Sequence, residues 1–165
     1  MEYEKYMLSA ISQAEEALMA QEVPVGCIFI FQNKIISQSR NTVNLTKNAT
    51  RHAELNCIDQ VMEYCRNNNL DHFAIFKEIE VVVTVEPCIM CADILYNLKV
   101  KKIIFGCAND RFGGNTVVKV SDLYPDLKTT VVGGIFSDRA MSLLKEFYKG
   151  TNPNAPCPKV KVIIK

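Results

Sequence analysis

Two short stretches carry residue types that could do chemistry: His52-Ala53-Glu54 and Pro87-Cys88-Ile89-Met90-Cys91. A Cys-x-x-Cys pair sets two thiols one helical turn apart on one face, within reach of a single ion. A helix N-terminus lowers thiol pKa and so favours the thiolates that a metal needs, and Pro87 suits the turn that opens such a helix. Adding the imidazole of His52 makes three ligands. A tetrahedral zinc ion with three protein ligands keeps a fourth position for water, which is a catalytic arrangement. Two thiolates and a neutral imidazole leave the dipositive ion formally uncharged, so it acidifies water less than an all-imidazole site would. A base is therefore needed. Glu54, two residues beyond His52 on the same helical turn, can lie beside the ion without binding it, take a proton from water and pass one to a leaving group.

Each motif alone has other readings. Cys-x-x-Cys is also half of a structural zinc site, but such sites close with four ligands, and the chain holds no second Cys-x-x-Cys and no His pair. The same pair after a strand and opening a helix is the thioredoxin-like arrangement, which leaves His52-Ala53-Glu54 idle. Both motifs together, in this order and each at a helix start, favour catalytic zinc. The remaining cysteines read as core or surface thiols, and His72, the only other histidine, as exposed.

The elements that must position these residues are legible from periodicity. Met7, Ile11, Ala14 and Leu18 recur at three and four residues, so Tyr3 to Met19 reads as an amphipathic helix. Pro24 ends it. Val25 to Phe31 reads as a buried strand, Gln32-Asn33 as a turn, and Ile35-Ile36 as the second strand of a hairpin. Ser39 to Thr50 is polar and reads as an exposed loop leading to a helix from Arg51 to Asn67. Ile79 to Val85 reads as a strand, Cys88 to Leu98 as a helix and Lys101 to Gly106 as a parallel strand, a βαβ unit. Gly106 to Gly114 reads as a loop, Thr129 to Gly133 as a fifth strand and Asp138 to Lys149 as a closing helix.

At 165 residues, 48% hydrophobic and 22% charged, the chain is sized for one domain, here 1–151, with a Pro- and Lys-containing tail at 152–165. No apolar run approaches a membrane span, and the first residues lack the order of a secretory signal. An odd count of seven cysteines suits reduced thiols better than paired bridges. The expectation is an intracellular protein, nuclear or cytoplasmic, with no membrane partner. A net charge of +1 makes no global case for nucleic acid. The ends differ: from Arg139 onward Arg139, Lys145, Lys149, Lys159, Lys161 and Lys165 face only Glu146.

The His-x-Glu and Pro-Cys-x-x-Cys pair is a known signature of zinc nucleobase deaminases, so the class is a match rather than a derivation. A narrower resemblance runs from the first helix to the tail. It is carried by Glu22-Val23-Pro24-Val25-Gly26-Cys27, Arg40-Asn41, Asn48-Ala49-Thr50-Arg51-His52-Ala53-Glu54, Ile58-Asp59-Gln60-Val61, Val85-Glu86-Pro87-Cys88-Ile89-Met90-Cys91-Ala92, Phe105-Gly106-Cys107, Arg111-Phe112-Gly113-Gly114 and Asn152-Pro153-Asn154-Ala155-Pro156. These segments resemble the catalytic subunit of the eukaryotic tRNA-specific adenosine deaminase, of the cytidine and deoxycytidylate deaminase superfamily. The two motifs alone fit cytidine, cytosine or guanine deaminases as well. Glu86 to Cys91, and Arg111 to Gly114 after Phe105-Gly106-Cys107, point to the tRNA enzyme.

The resemblance implies a three-layer α/β/α fold with a mixed sheet of about five strands. It implies conversion of the wobble adenosine of tRNA anticodons to inosine, by a heterodimer of this subunit with a related, catalytically inactive one. Carried over, it makes His52, Cys88 and Cys91 the Zn2+ ligands and Glu54 the proton shuttle. Val25, Asn41 and Ala53 would hold the base. Arg111 and Phe112 on the loop after Phe105, with Lys145 and Lys149 on the closing helix, are the expected tRNA contacts. The family's strongly basic tail is not matched: Lys159, Lys161 and Lys165 alternate with Val160, Val162, Ile163 and Ile164. Two rivals stay open, a deaminase of the same fold acting on a free base, nucleoside or nucleotide, and a non-catalytic zinc-stabilised RNA-binding subunit.

Overall fold

The computed structural model describes residues 3–126 and 128–150 of the chain. Helix α1, Glu4–Met19, lays Met7, Ala10, Ile11 and Ala14 on the sheet, as their spacing predicts. Strands β1, Gly26–Phe31, and β2, Lys34–Arg40, pair antiparallel around Gln32 and Asn33. Both turn residues have positive φ, 48° and 61°, the backbone that a two-residue hairpin demands. A single turn α2, Val43–Thr46, precedes α3, Ala53–Asn67, and α4, His72–Phe76. Strand β3, Glu80–Val85, helix α5, Ile89–Asn97, and strand β4, Lys102–Cys107, form the expected βαβ unit. A short 3₁₀ turn at Val120–Leu123, strand β5, Thr130–Val132, and helix α6, Ser137–Lys149, complete the described chain.

The sheet order is β2-β1-β3-β4-β5, antiparallel through the hairpin and parallel from β3 to β5. Side chains alternate across it. Ile28, Ile30, Val82 and Ile104 meet Tyr6, Met7, Ala10 and Ile11 of α1, with Leu143 of α6, on one face. Cys27, Phe29, Val81, Val83 and Ile103 meet α3, α4 and α5 on the other. The result is a three-layer α/β/α domain, and burying each such aliphatic side chain stabilises it by about 1.5–3 kcal/mol. Because β3 and β4 are parallel, their carboxyl ends share one edge of the sheet, and the chain leaves β3 there straight into Pro87 and Cys88.

Several boundaries differ from the periodicity. The stretch 39–50 is less of a loop than its polar composition suggests: β2 runs to Arg40, and α2 follows. An edge strand with one wet face carries polar residues, which hides it from a hydrophobic pattern. His72 is half-buried rather than exposed, its ring against Phe73 with centroids 4.2 Å apart. The expected tail 152–165 lies outside the described residues. No helix among the described residues is long and apolar enough to cross a membrane.

One close approach seats α1. A Cβ on Gly26 would lie 1.9 Å from the Ala10 carbonyl oxygen and 2.6 Å from the Ala14 nitrogen. Gly26→Ala is therefore expected to lower stability by about 1–3 kcal/mol, read as a reduced urea midpoint at unchanged slope. An unchanged midpoint would mean that α1 does not rest on this glycine.

Candidate active site

His52 and Cys88 are the residues from which α3 and α5 start, and both have extended backbones, ψ 159° and 170°. The first N–H groups of a helix lack internal partners, and a polar residue at this position normally spends its side chain on them. His52 does not. Ala53 N–H is instead taken by Asn41 Oδ1 at 2.8 Å, and Ile89 N–H by the Phe112 carbonyl at 2.8 Å. Supply of these acceptors from distant segments leaves the imidazole and the thiols free to converge. His52 Nδ1 lies 3.6 Å from Cys88 Sγ and 3.5 Å from Cys91 Sγ, and all three donor atoms fall within 4.8 Å of one another.

This donor set fits zinc. Bonds of about 2.3 Å to sulfur and about 2.0 Å to nitrogen, at a tetrahedral angle, put sulfur and nitrogen roughly 3.5 Å apart, as they are here. The hydrogen bond from the Cys91 thiol, together with His52, lowers the Cys88 pKa to about 4, so Cys88 is the thiolate of the pair. Cys91 is held well above the usual thiol range, by its hydrogen bond to Cys88 and by burial. The same thiolate raises His52. Glu54, on the first turn of α3, is only 3% exposed. Burial pushes its carboxyl up to about 7, against the pull of its own backbone N–H. A carboxyl titrating there can both take and give a proton at neutral pH.

The remaining expected site residues fall in two groups. Val25, Asn41 and Ala53 are linked, because Asn41 N–H also donates to the Val25 carbonyl at 3.2 Å. Val25 is half-buried, Asn41 is buried, and Ala53 is fully buried with its N–H already used. The Asn41 amide nitrogen makes no hydrogen bond among the described residues and remains as a donor. Arg111 and Phe112 stand exposed on the loop whose Gly113 pairs with Cys88 in a single bridge. Lys145 and Lys149 are exposed on α6, which packs Ala140, Met141 and Leu144 beside Val85, Cys107 and Val25.

Two buried carboxylates escaped the sequence reading. Glu86, 1% exposed, accepts from the N–H groups of Asn109, Asn115 and Thr116, each at 2.9 Å, and from the Thr116 hydroxyl. With Gly114 N–H on the Pro87 carbonyl at 2.9 Å, it stitches residues 109–116 onto the metal-ligand turn. The approach is tight: a Cβ on Gly113 would meet Glu86 Oε1 at 2.7 Å and one on Gly114 would meet Ala92 Cβ at 2.3 Å. Glu22, 2% exposed, accepts from Asn44 and Leu45 N–H at 3.0 and 2.8 Å and so anchors α2 before His52. Their partners are backbone groups far along the chain, which residue types do not announce. The one available signal was a glutamate directly preceding each apolar-proline or proline-cysteine step.

A mixed sheet with a His-x-Glu and a Cys-x-x-Cys at adjacent helix starts defines a zinc-dependent deaminase. The family described as the cytidine and deoxycytidylate deaminase zinc-binding region matches residues 1–107. The chain is 46% identical to tRNA-specific adenosine deaminase 2 of Xenopus tropicalis, over 97% of its own length and 96% of the relative's. It is 34% identical to the tRNA-specific adenosine deaminase of Aquifex aeolicus, over 92% and 97%. Against subunit tad2 of the enzyme of that name in Schizosaccharomyces pombe it is 38% identical, over 97% of this chain and 40% of that one. The chain belongs to the tRNA-specific adenosine deaminases. The fold is shared with a structure solved in studies of A-to-I editing by tRNA:A34 deaminases (TM-score 0.74, 22% identity, covering 85% of this chain and 99% of that one). It is also shared with a guanine deaminase from Nitrosomonas europaea (TM-score 0.73, 18% identity, covering 89% and 85%), so the fold does not choose the base.

Metal loading must displace the Cys91 proton and, towards the acid side, the His52 proton as well. Zinc affinity is expected to weaken on acidification, on the order of tenfold per pH unit for each proton released, in chelator competition between pH 6 and 8. Affinity independent of pH would remove both Cys91 and His52 from the ligand set. Glu86→Ala should leave three backbone donors unsatisfied and free the 109–116 loop while zinc content stays near normal. The expected reading is faster amide exchange at Asn115 and Thr116 and a stability loss of about 2–4 kcal/mol. Unchanged protection there would show that the loop is held by other means.

Proposed function

We propose that the chain converts adenosine to inosine at the wobble position of tRNA anticodons. It does so as one subunit of a heterodimer whose other member is a related, inactive deaminase. The observation that carries this reading is Glu54, a buried carboxyl titrating about 7, set beside a His-Cys-Cys donor set in a chain whose close relatives are named tRNA-specific adenosine deaminases. Inactive relatives would have no use for a carboxyl kept at that cost.

Zinc held by His52, Cys88 and Cys91 supplies Lewis acidity that makes water a nucleophile at neutral pH. Glu54 takes one proton from the attacking water as its oxygen bonds to C6 of the unstacked adenine, and sets that proton on N1. It then carries the second water proton to the amino nitrogen, the C6–N bond breaks, and ammonia leaves. Asn41, its oxygen held by Ala53 N–H, offers its amide N–H to the base, and Val25 supplies an apolar wall. Arg111 and Phe112, held next to the metal turn, meet the nucleotides flanking the target, and Lys145 and Lys149 meet phosphate. A partner subunit is needed because so small a domain has little surface with which to grip a folded tRNA. A thiolate site and the free buried thiols Cys27, Cys57, Cys65 and Cys107 call for a reducing compartment, inside the cell.

Glu54→Gln should keep zinc, since it removes no ligand, yet lose activity by hundreds-fold or more. Inosine is read by sequencing the anticodon of tRNA incubated with the chain, with and without its co-purifying partner, beside free adenosine, cytidine and guanine. Near-normal turnover by the variant would overturn the role of Glu54. Deamination of a free base or nucleoside in preference to tRNA would overturn the substrate, and full activity of the lone chain would overturn the heterodimer.

A further inference from the structure

A cavity of about 610 Å³ opens at the opposite edge of the sheet from the metal donors. Its walls come from the turn after α4, the α5–β4 connection and the segment before β5, so it sits at the amino ends of the strands whose carboxyl ends carry the active site. Strands of six residues put roughly 20 Å between the two. Lys77, Lys99, Lys101 and Lys128 line it, with Tyr96 and Tyr124 among its apolar walls.

The charges do not cancel. Lys101 is paired with Glu80 at 3.0 Å, and among the described residues Asp126 is the only carboxylate lining the cavity. Lys77, Lys99 and Lys128 have no ion-pair partner among the described residues. Lys99 also holds its place at a positive φ of 57°, a backbone that glycine adopts freely and lysine does not. The rim is braced: Lys101 N–H donates to the Ile79 carbonyl at 2.9 Å, and the Thr129 hydroxyl to the Val100 carbonyl at 2.5 Å. Tyr124 hydrogen-bonds Asp93 and sets its ring edge-on to Tyr96, centroids 6.1 Å apart. Unpaired ammonium groups around an aromatic-walled cavity of this size match an anion that carries a flat ring.

We propose that this cavity binds a nucleotide unit, its phosphate against Lys77, Lys99 and Lys128 and its ring against Tyr124, as a second contact with the RNA substrate. The inference rests on the tRNA reading above and extends it, since a folded RNA is long enough to touch both edges of the sheet. Lysines act here as point charges on phosphate, and the aromatic wall accepts any base, so the contact adds affinity without sequence choice.

The test compares the zinc-loaded full chain, with any co-purifying partner, with its Lys77→Gln/Lys99→Gln variant. Both side chains are exposed, so folding is not at stake. The probes are full-length tRNA across several salt concentrations and AMP alone. Expected are a tRNA affinity lower by about tenfold near 0.1 M salt, a logarithmic salt slope shallower by about 1.5, and weakened AMP binding. Zinc content and kcat at saturating tRNA should not change. Unchanged tRNA affinity and slope would overturn the proposal. Loss of AMP binding with tRNA affinity intact would give the cavity to a free nucleotide and likewise overturn the RNA contact. Wild-type protein that binds tRNA without forming inosine would sink the deaminase reading instead, and the comparison of affinities would still decide the cavity.

Discussion

Everything at the catalytic edge depends on how two helix starts are satisfied. Neither His52 nor Cys88 spends its side chain on the N–H of the residue that follows it, so that group needs another acceptor. Asn41 supplies it for α3 and the Phe112 carbonyl for α5. Both acceptors arrive from other parts of the chain, so the site exists only when the β2 exit and the loop after β4 are in place. The two buried carboxylates extend the same logic outward: Glu22 fixes α2 on the way to His52, and Glu86 fixes the 109–116 loop against Cys88. A buried carboxylate is costly unless it is hydrogen-bonded, and here two backbone N–H groups meet Glu22 and three, with the Thr116 hydroxyl, meet Glu86.

The sheet serves this arrangement by its direction. The change from antiparallel to parallel pairing between β1 and β4 brings the ends of β3 and β4 to one edge, and the short βαβ crossover turns the chain from β3 into the Cys88 turn. Apolar side chains from both helical layers lock that register. Chemistry and packing are thereby separated, with the hydrophobic clusters beneath the sheet surface and the titrating groups at its rim.

Much of this was legible in the residues. Met7, Ile11 and Ala14 announced α1, the β-branched run before Pro87 announced β3, and the two motifs with their spacing announced the metal site. What escaped had physical reasons. β2 and α2 are polar because one side of each is wet, and α4 is five residues long, its only advertisement the Asp71 carboxylate that caps Phe73 N–H. Glu22 and Glu86 look like surface glutamates until the backbone donors that face them are assembled. The lysines of the 610 Å³ cavity come from three separate segments, and no local pattern could join them.

Asn41 occupies a position with two duties. Its amide oxygen completes the start of the helix that presents His52, and its backbone N–H ties that start to the Val25 carbonyl. A change of side chain there would withdraw the acceptor from Ala53 N–H and loosen the helix start that presents the metal ligand. That position is therefore constrained by the metal site itself. The side chains of Val25 and of the exposed tip at Arg111 and Phe112 carry no such duty, so variation there leaves the helix start untouched.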